Sequence, residues 1–295
     1  MTGMFKVALL ASVFASALWL PASAAIDWGQ VDQAMGKKGA TQADNVYKFT
    51  MPRSDLKVTL DGVQLQPAFA LGTHIEFLPM GDQVLYMGDL VLTEDEIEPV
   101  MKKLLEGGVD IAGIHNHIIR ATPTVMYMHI MGMGEPTKVA GALHAALALS
   151  KTPFETAAAA APPALDLDTA AIDKTIGAKG TQNGSVYQYS VPPTVKLTEM
   201  GTAIPPAMGT AHVINFQPTG GGKAAITGDF TLLAEEVNPV ARAFRDNGID
   251  VTALHSHVMG TAPAVYFLHY YANDDALKLA KGLRAALDKA NVRSN

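Results

Sequence analysis

The chain contains no cysteine among its 295 residues. This absence excludes thiol nucleophiles, thiolate metal ligands, iron–sulfur clusters and CxxC redox chemistry together. Histidine, aspartate, glutamate and serine are therefore the side chains that remain available for chemistry.

Charged residues are also scarce, at 17% of the chain, and the basic ones form no dense block. The 22 Lys and Arg residues are outnumbered by 28 Asp and Glu residues, which gives a formal net charge of −6. A surface that follows the phosphates of DNA or RNA needs a concentration of positive charge. We therefore expect no nucleic-acid partner.

Long apolar runs are missing after residue 24, where no segment approaches the roughly 18 uninterrupted apolar residues of a membrane-spanning helix. Residues 1–24 have the pattern of a secretory signal peptide, with Lys6, an apolar stretch over 7–20 and an A-x-A site that ends at Ala24. The pattern predicts cleavage near Ala24 and a soluble periplasmic or secreted protein without a transmembrane segment. An uncleaved N-terminal anchor is the alternative.

The sequence repeats itself at an offset of 140 residues. Gly88-Asp89 recurs as Gly228-Asp229, and Pro99-Val100 recurs as Pro239-Val240. Three histidines keep the same offset: His115, His117 and His129 match His255, His257 and His269. We predict a first repeat domain over 26–150, an Ala/Pro-rich linker over 151–166 and a second repeat domain over 167–292. Whether each half folds alone or the two share one core stays open.

Local patterns predict helices and short strands that alternate irregularly in each half. Helices are expected at the start of each half (28–36, 167–176), between a Glu-Pro or Asn-Pro pair and a glycine (98–108, 238–248), and at the end (136–149, 274–287). Strands are expected over 46–51, 73–78, 84–92, 109–117 and 124–131, and over 249–257 and 264–271. The predicted fold class is α+β: two tandem homologous halves, each with a mixed or antiparallel sheet and flanking helices.

The histidines form a constellation in each half. On a strand, residues i and i+2 point to the same face, so His115 and His117 project together. If the next connection is a hairpin, His129 returns to the same neighbourhood. Three histidines with an open fourth position are a common catalytic zinc arrangement. We predict that each half binds a divalent metal ion, zinc first. The ligands would be His115, His117 and His129 in the first half, and His255, His257 and His269 in the second.

Carboxylates at equivalent positions in the two halves can complete such a site. Glu96 and Glu236 are the first candidates for the general base, followed by Asp89 and Asp229. Two equivalent sites are expected from the repeat, and a single composite site between the halves is the alternative.

Simpler interpretations of the histidines stay open. The H-x-H pairs can be core-edge residues that hydrogen-bond to the backbone, or they can hold a small polar ligand without a metal. His74 and His212 correspond if one residue is inserted, but a structural role is the preferred interpretation for both. His144 has no equivalent and is expected to be an ordinary structural histidine.

The sequence resembles the LppY/LpqO-type family of exported proteins, a domain of unknown function. The resemblance rests on the segment from Gly88 to Leu92, on the segment from Glu236 to Val240, and on the run from Gly248 to His255 with its following histidines. The chain departs from the family in having no lipobox cysteine. The resemblance implies an exported, duplicated module and brings no established reaction.

The sequence therefore predicts an exported metal-binding protein or a metal-dependent hydrolase that acts on a small envelope substrate. A non-catalytic periplasmic binding module for a small polar ligand is the alternative. A purely structural envelope protein is a third possibility. In the first two cases the partner is a small molecule or another envelope ligand.

Overall fold

A computed structural model describes residues 25–155 and 162–292. The predicted signal peptide (1–24) and the middle of the predicted linker (156–161) lie outside the described residues. The helices of the first half are α1 (Trp28–Met35), α2 (Pro67–Ala70), α3 (Glu94–Glu106) and α4 (Pro136–Leu147). Its strands are β1 (Ala40–Thr41), β2 (Tyr47–Pro52), β3 (Thr59–Leu60), β4 (Val63–Gln64), β5 (Gly72–Met80), β6 (Gln83–Thr93), β7 (Ile111–His115) and β8 (Val125–Gly134).

The second half repeats this order with small differences. Its helices are α5 (Thr169–Ile176), α6 (Ala234–Asp246) and α7 (Ala276–Leu287). Its strands are β9 (Thr181–Asn183), β10 (Val186–Val191), β11 (Leu197–Glu199), β12 (Thr202–Ile204), β13 (His212–Gly220), β14 (Lys223–Leu232), β15 (Asp250–His255) and β16 (Tyr266–Asp275). A 3₁₀ turn at Pro206–Met208 stands where the first half has α2.

Each half builds one antiparallel sheet with the same strand order. The first sheet runs β1-β2-β5-β6-β8-β7, and the second runs β9-β10-β13-β14-β16-β15. Short hairpins, β3-β4 and β11-β12, lie outside the two sheets. The predicted α+β class with two tandem halves is confirmed, and within the described residues the sheets are antiparallel rather than mixed.

Two predicted boundaries are wrong. The helices expected to begin at Pro99 and Pro239 begin earlier, at Glu94 and Ala234. The Glu96 carboxylate accepts a hydrogen bond from the backbone N–H of Thr93 at 2.9 Å, which satisfies a free donor before the first turn. The helix α3 therefore begins before Pro99, which lies inside it, although proline removes one backbone hydrogen-bond donor there.

One face of each sheet packs against the helices of its own half. In the first half, a fully buried cluster joins Phe49 and Ile75 of the sheet to Leu143 of α4. The second half has the same arrangement, with Phe216 and Phe230 of the sheet against Leu283 of α7. Alternation along each strand therefore leaves the opposite, inner face to be covered by something else.

The inner faces are covered by the other half. Residues 54–71, here called the first arm, place Leu60, Leu65 and Phe69 in one buried cluster with Val186, Ala225 and Tyr271 of the second half. Residues 192–211, the second arm, place Leu197, Ile204 and Met208 in a cluster with Val46, Leu85 and Met131 of the first half. The covered residues match at the repeat offset of 140, so the contacts are reciprocal, as in a two-fold symmetric dimer.

Hydrogen bonds reinforce the crossing of the first arm. The Asn215 side-chain amide donates to the Phe69 carbonyl at 3.0 Å, and the Gln217 amide donates to the Gln64 carbonyl at 2.8 Å. Tyr271 donates to the Leu60 carbonyl at 3.3 Å. Side chains of the second sheet therefore bind carbonyl groups of the first arm.

Among residues 25–155 and 162–292, no helix is both long enough and apolar enough to cross a membrane.

Because the arms share their cores with the opposite half, the two halves should unfold together. We expect Phe69→Ala to lower the free energy of unfolding by about 3–5 kcal/mol, since it opens a cavity beneath the second sheet. Leu105→Ala, at a side chain that is 55% exposed, is the control and should change stability by less than about 0.5 kcal/mol. Guanidinium unfolding followed by fluorescence and circular dichroism tests this. Two separate transitions in the parent protein would contradict the shared core.

Candidate metal centre

The sheet register places a histidine beside an aspartate in each half. His129 on β8 lies directly opposite Asp89 on β6, and His269 on β16 lies opposite Asp229 on β14. These four residues lie in equivalent cross-strand pairs on the two sheets. His115 and His255 end the edge strands β7 and β15, so His117 and His257 lie just beyond the strands predicted to contain them.

The histidines of the two halves interleave into one group. The ring centroids of His115 and His255 are 3.6 Å apart. His117 stacks on His269 at 3.8 Å, and His129 stacks on His257 at 3.9 Å. These contacts are reciprocal under the repeat, so the pseudo-two-fold axis passes between His115 and His255. We call the six residues the histidine cluster: His115, His117, His129, His255, His257 and His269. The structure therefore places the histidines of both halves in one group between the halves, and not in two separate groups.

Possible ligand atoms from both halves converge in this cluster. One ring nitrogen from each of His115, His117, His129 and His255 lies within 4.8 Å of the others. The Nε2 atoms of His117 and His129 are 3.2 Å apart, and those of His255 and His269 are 2.8 Å apart. Four nitrogens around a tetrahedral zinc ion are separated by about 3.4 Å, as zinc–nitrogen bonds of about 2.0–2.1 Å require.

Groups behind the rings orient them. The Nδ1 atoms of His117 and His129 each lie 3.9 Å from an oxygen of Asp89. His269 donates from Nδ1 to the Gly228 carbonyl at 3.1 Å, which leaves a lone pair on Nε2. A carboxylate or carbonyl behind the ring is the usual support for a metal-ligating histidine.

Burial keeps the imidazoles neutral. His117, His129 and His269 are 8%, 4% and 6% exposed, and their neighbours are other histidines. Burial, followed by repulsion from neighbouring rings, lowers the pKa of His257 and of His269 to about 3. The pKa values of His117 and His129 are lowered well below the ordinary range by the same causes. Neutral imidazole is the form that binds a metal.

The two aspartates shift in the opposite direction. Burial raises the pKa of Asp229 to about 7. Burial, and then the charge of Asp229, raise the pKa of Asp89 well above its ordinary range. Two buried carboxylates that repel each other would be relieved by a cation placed near them.

Several polar atoms of the site have no protein partner. Asp89 Oδ1, His115 Nε2 and His255 Nδ1 are buried and make no hydrogen bond. Buried polar groups are normally paired, and an unpaired one costs about 1–3 kcal/mol. The donor set is therefore compatible with an ion that the protein would bind here.

Glu96 and Glu236, the first candidates for the base, lie at helix starts. Glu96 receives two hydrogen bonds from the fully buried Arg53, at 2.8 and 3.1 Å, and one from the Lys151 backbone at 2.8 Å. Glu236 accepts from the Leu233 backbone at 2.8 Å. Among the described hydrogen bonds and ion pairs, none joins either glutamate to the histidine cluster. The carboxylates beside the cluster are Asp89 and Asp229, the second candidates.

His74 and His212 are not equivalent in the structure. His74 lies opposite Asp89 in the sheet, whereas Val213 lies opposite Asp229. His74 contacts Glu76 at 2.9 Å, while the fully buried His212 packs edge-on against Phe230 at 5.1 Å. One inserted residue in the sequence therefore turns His212 to the opposite face of its sheet.

His144 has a structural contact. Its Nδ1 lies 2.9 Å from the Met35 carbonyl and joins α4 to the end of α1.

The two glutamates should differ in their effect on stability. Hydrogen bonds from Arg53 and from backbone N–H groups lower the pKa of Glu96, whereas burial raises the pKa of Glu236. We expect Glu96→Gln to lower the free energy of unfolding at pH 7 by about 2–4 kcal/mol, because Arg53 loses a charged partner. The loss should shrink as the pH falls below about 4.5, where unfolded Glu96 takes up a proton, towards the lower pKa of folded Glu96.

Glu236→Gln is the matched control and should change stability at pH 7 by less than about 1 kcal/mol, because burial raises the pKa of Glu236 and folding therefore does not favour its charged form. Urea unfolding at several pH values measures both variants. A Glu96→Gln protein of parental stability that loses bound metal would restore the predicted role of Glu96 at the site.

The metal-free protein should be sensitive to mild acid. The cluster histidines have lowered pKa values when folded and ordinary values near 6.5 when unfolded, so unfolding takes up protons below that pH. Each of the three buried rings should then cost up to about 1.4 kcal/mol per pH unit. Asp89 and Asp229 act in the opposite direction but are outnumbered by the histidines.

Urea unfolding after treatment with a chelator, at pH 7.5, 6.5 and 5.5, measures this slope. The double variant His117→Gln/His269→Gln should show a shallower slope. A free energy of unfolding that stays constant over this range would contradict the neutral, buried state of the cluster.

The chain has low similarity to two solved structures, one of them a bacterial shell protein. The crystal structure of a trimeric bacterial microcompartment shell protein, PduB, is 13% identical with a TM-score of 0.21, and the match covers 85% of this chain and 89% of that chain. EtuB from Clostridium kluyveri is 8% identical with a TM-score of 0.20, and the match covers 84% of this chain and 90% of that chain. Scores this low do not establish a shared fold.

No curated protein matches the sequence. A protein-family comparison matches the chain twice, over residues 29–149 and over residues 170–289, in agreement with the internal repeat. The two matches together cover most of the chain, which therefore belongs to the family described as Domain of Unknown Function (DUF1259).

Proposed function

We propose that the protein binds a divalent transition-metal ion, zinc first, at the interface between its two halves. The observation that carries this proposal is the convergence of ring nitrogens from His115, His117, His129 and His255 within 4.8 Å. Three of these residues come from the first half and one from the second. The ion would therefore hold the two halves together as well as being held by them.

The chemistry of the donors supports this assignment. Imidazole nitrogen suits zinc, copper and nickel, and the chain has no thiolate that would compete as a ligand. Since burial already keeps the rings neutral, an ion would not have to displace protons from them near pH 7. Asp89 lies behind His117 and His129, as outer carboxylates do in zinc sites.

Metal handling is the role that the burial of the site supports best. His117, His129 and His269 are buried, while His115, His255 and His257 are partly exposed, so the cluster faces solvent on one side only. Hydrolysis of a small envelope substrate is the narrower proposal. In that case a metal-bound water would be the nucleophile, and Asp89 or Asp229 would replace Glu96 or Glu236 as the base, because both glutamates are engaged at helix starts.

The proposed location is the periplasm or the exterior of the cell. The signal-peptide pattern of residues 1–24 supports export. The segments shared with LppY/LpqO-type proteins support the same location and membership of that branch of the family.

Elemental analysis of the mature protein, residues 25–295, purified without chelators and without a His-tag, tests metal binding. We expect retained zinc, and we expect His117→Gln to weaken zinc binding at least 10-fold because one ligand is lost. His144→Gln removes a histidine outside the cluster and should bind zinc as the parent does. Circular dichroism confirms that both variants are folded.

A folded protein that neither retains nor acquires zinc, copper, nickel or manganese would overturn the metal proposal. The non-catalytic binding module for a small polar ligand would then take its place, and a thermal-shift screen of envelope metabolites would follow. Equal loss of zinc from the His117 and His144 variants would also count against this site.

A further inference from the structure

The histidine cluster holds more donors than one ion can use. A tetrahedral ion takes four ligands, and the group that includes His255 leaves His257 and His269 over. We propose that the cluster binds two metal ions side by side. This inference rests on the proposed metal-binding function and extends it from one ion to a two-ion centre.

The first ion position is marked by His117 and His129. Their Nε2 atoms face each other at 3.2 Å, while both Nδ1 atoms point towards Asp89 at 3.9 Å. Two rings that converge through Nε2 and are supported through Nδ1 by one carboxylate have the arrangement of ligands to a common ion. Asp89 Oδ1 has no other partner, so it is free to serve this role.

The second ion position is marked by His255 and His269. Their Nε2 atoms are 2.8 Å apart, and the rings are nearly parallel, with 6° between their planes. The Gly228 carbonyl accepts from His269 Nδ1 and so keeps the Nε2 lone pair directed towards His255. Here a backbone carbonyl provides the support that Asp89 provides at the first position.

The two positions lie one ring spacing apart. His117 of the first position stacks on His269 of the second, with ring centroids 3.8 Å apart and 17° between the planes. Two-metal sites hold their ions about 3.5–4 Å apart. The stacking distance therefore suits a pair of neighbouring ions better than two independent sites.

Each half provides one carboxylate beside the cluster. Asp89 and Asp229 are partly buried at equivalent positions, and among the described salt bridges neither pairs with a lysine or arginine. Lys48, whose charge lowers the pKa of both aspartates, is bound to Glu76 at 2.7 Å. A cation bound near either carboxylate would stabilise its charged form.

The remaining donors are His115 and His257. His115 Nε2 is buried without a partner, and the ring centroids of His115 and His255 are 3.6 Å apart. His257 stacks on His129 at 3.9 Å. Metals that accept nitrogen and oxygen ligands together, such as zinc, cobalt and copper in the divalent state, fit this mixed set.

Titration of the chelator-treated protein with Zn²⁺, followed by native mass spectrometry, tests the number of ions. Saturation at two ions per chain supports the inference. Saturation at one ion in a folded chain overturns it but leaves the proposed function standing. Binding of no ion overturns the proposed function itself, so the two failures can be told apart.

Electron paramagnetic resonance of the parent protein loaded with two equivalents of Cu²⁺ tests the spacing without any substitution. Ions about 4 Å apart should give a half-field transition and strong dipolar broadening. Two magnetically isolated Cu²⁺ ions would overturn the side-by-side arrangement.

Variants assign the positions. We expect His269→Gln to bind one Zn²⁺ ion tightly and the second at least 10-fold more weakly, while His144→Gln binds two as the parent does. Asp89→Asn should weaken the first ion by about 10- to 100-fold, as the loss of an outer carboxylate does. Full binding of both ions by a folded His269→Gln protein would exclude the second position.

Discussion

The packing of the two inner sheet faces against each other is the constraint on which the rest of the structure depends. Each half covers its outer face with its own helices, but its inner face is closed only by the arm and the sheet of the other half. The interface between the halves therefore forms when the two copies of the repeat pack face to face. The histidines lie at the centre of that interface, around the contact between His115 and His255. Formation of the core and formation of the site are therefore one event.

The same burial sets the chemistry of the site. Water is removed from six imidazoles and two carboxylates, so the rings stay neutral and the carboxyl groups bind protons more tightly. Polar atoms such as Asp89 Oδ1 are left without partners, at a cost that a purely structural core would not retain. Both effects are costs for the protein without an ion and would become favourable contributions if cations were bound among these groups. Stability and metal binding would then be linked through one set of side chains.

The two copies have kept the site and changed its surroundings. Arg53 neutralises Glu96 in the first half, whereas Pro193 stands at the equivalent position in the second, where no salt bridge among the described residues joins Glu236 to an arginine. Lys48 and Glu76 form an ion pair in the first sheet, where the second sheet has Gln188 and Asn215, two amides that bind the first arm. These differences between the two halves lie outside the histidine cluster. Both copies therefore keep the six histidines and differ in the residues around them.

The sequence by itself determined the repeat, the α+β class and the six histidines, because these follow from identities at a fixed offset and from local periodicity. It did not determine the helix start at Glu94, since a side-chain cap at Glu96 outweighs the local signal of Pro99. Only the tertiary structure decided that the two histidine triads interleave and that Asp89, rather than Glu96, lies beside them. Strand periodicity assigns a residue to a face of its own sheet. Which partner meets that face depends on contacts between residues far apart in the chain, and no local pattern encodes those contacts.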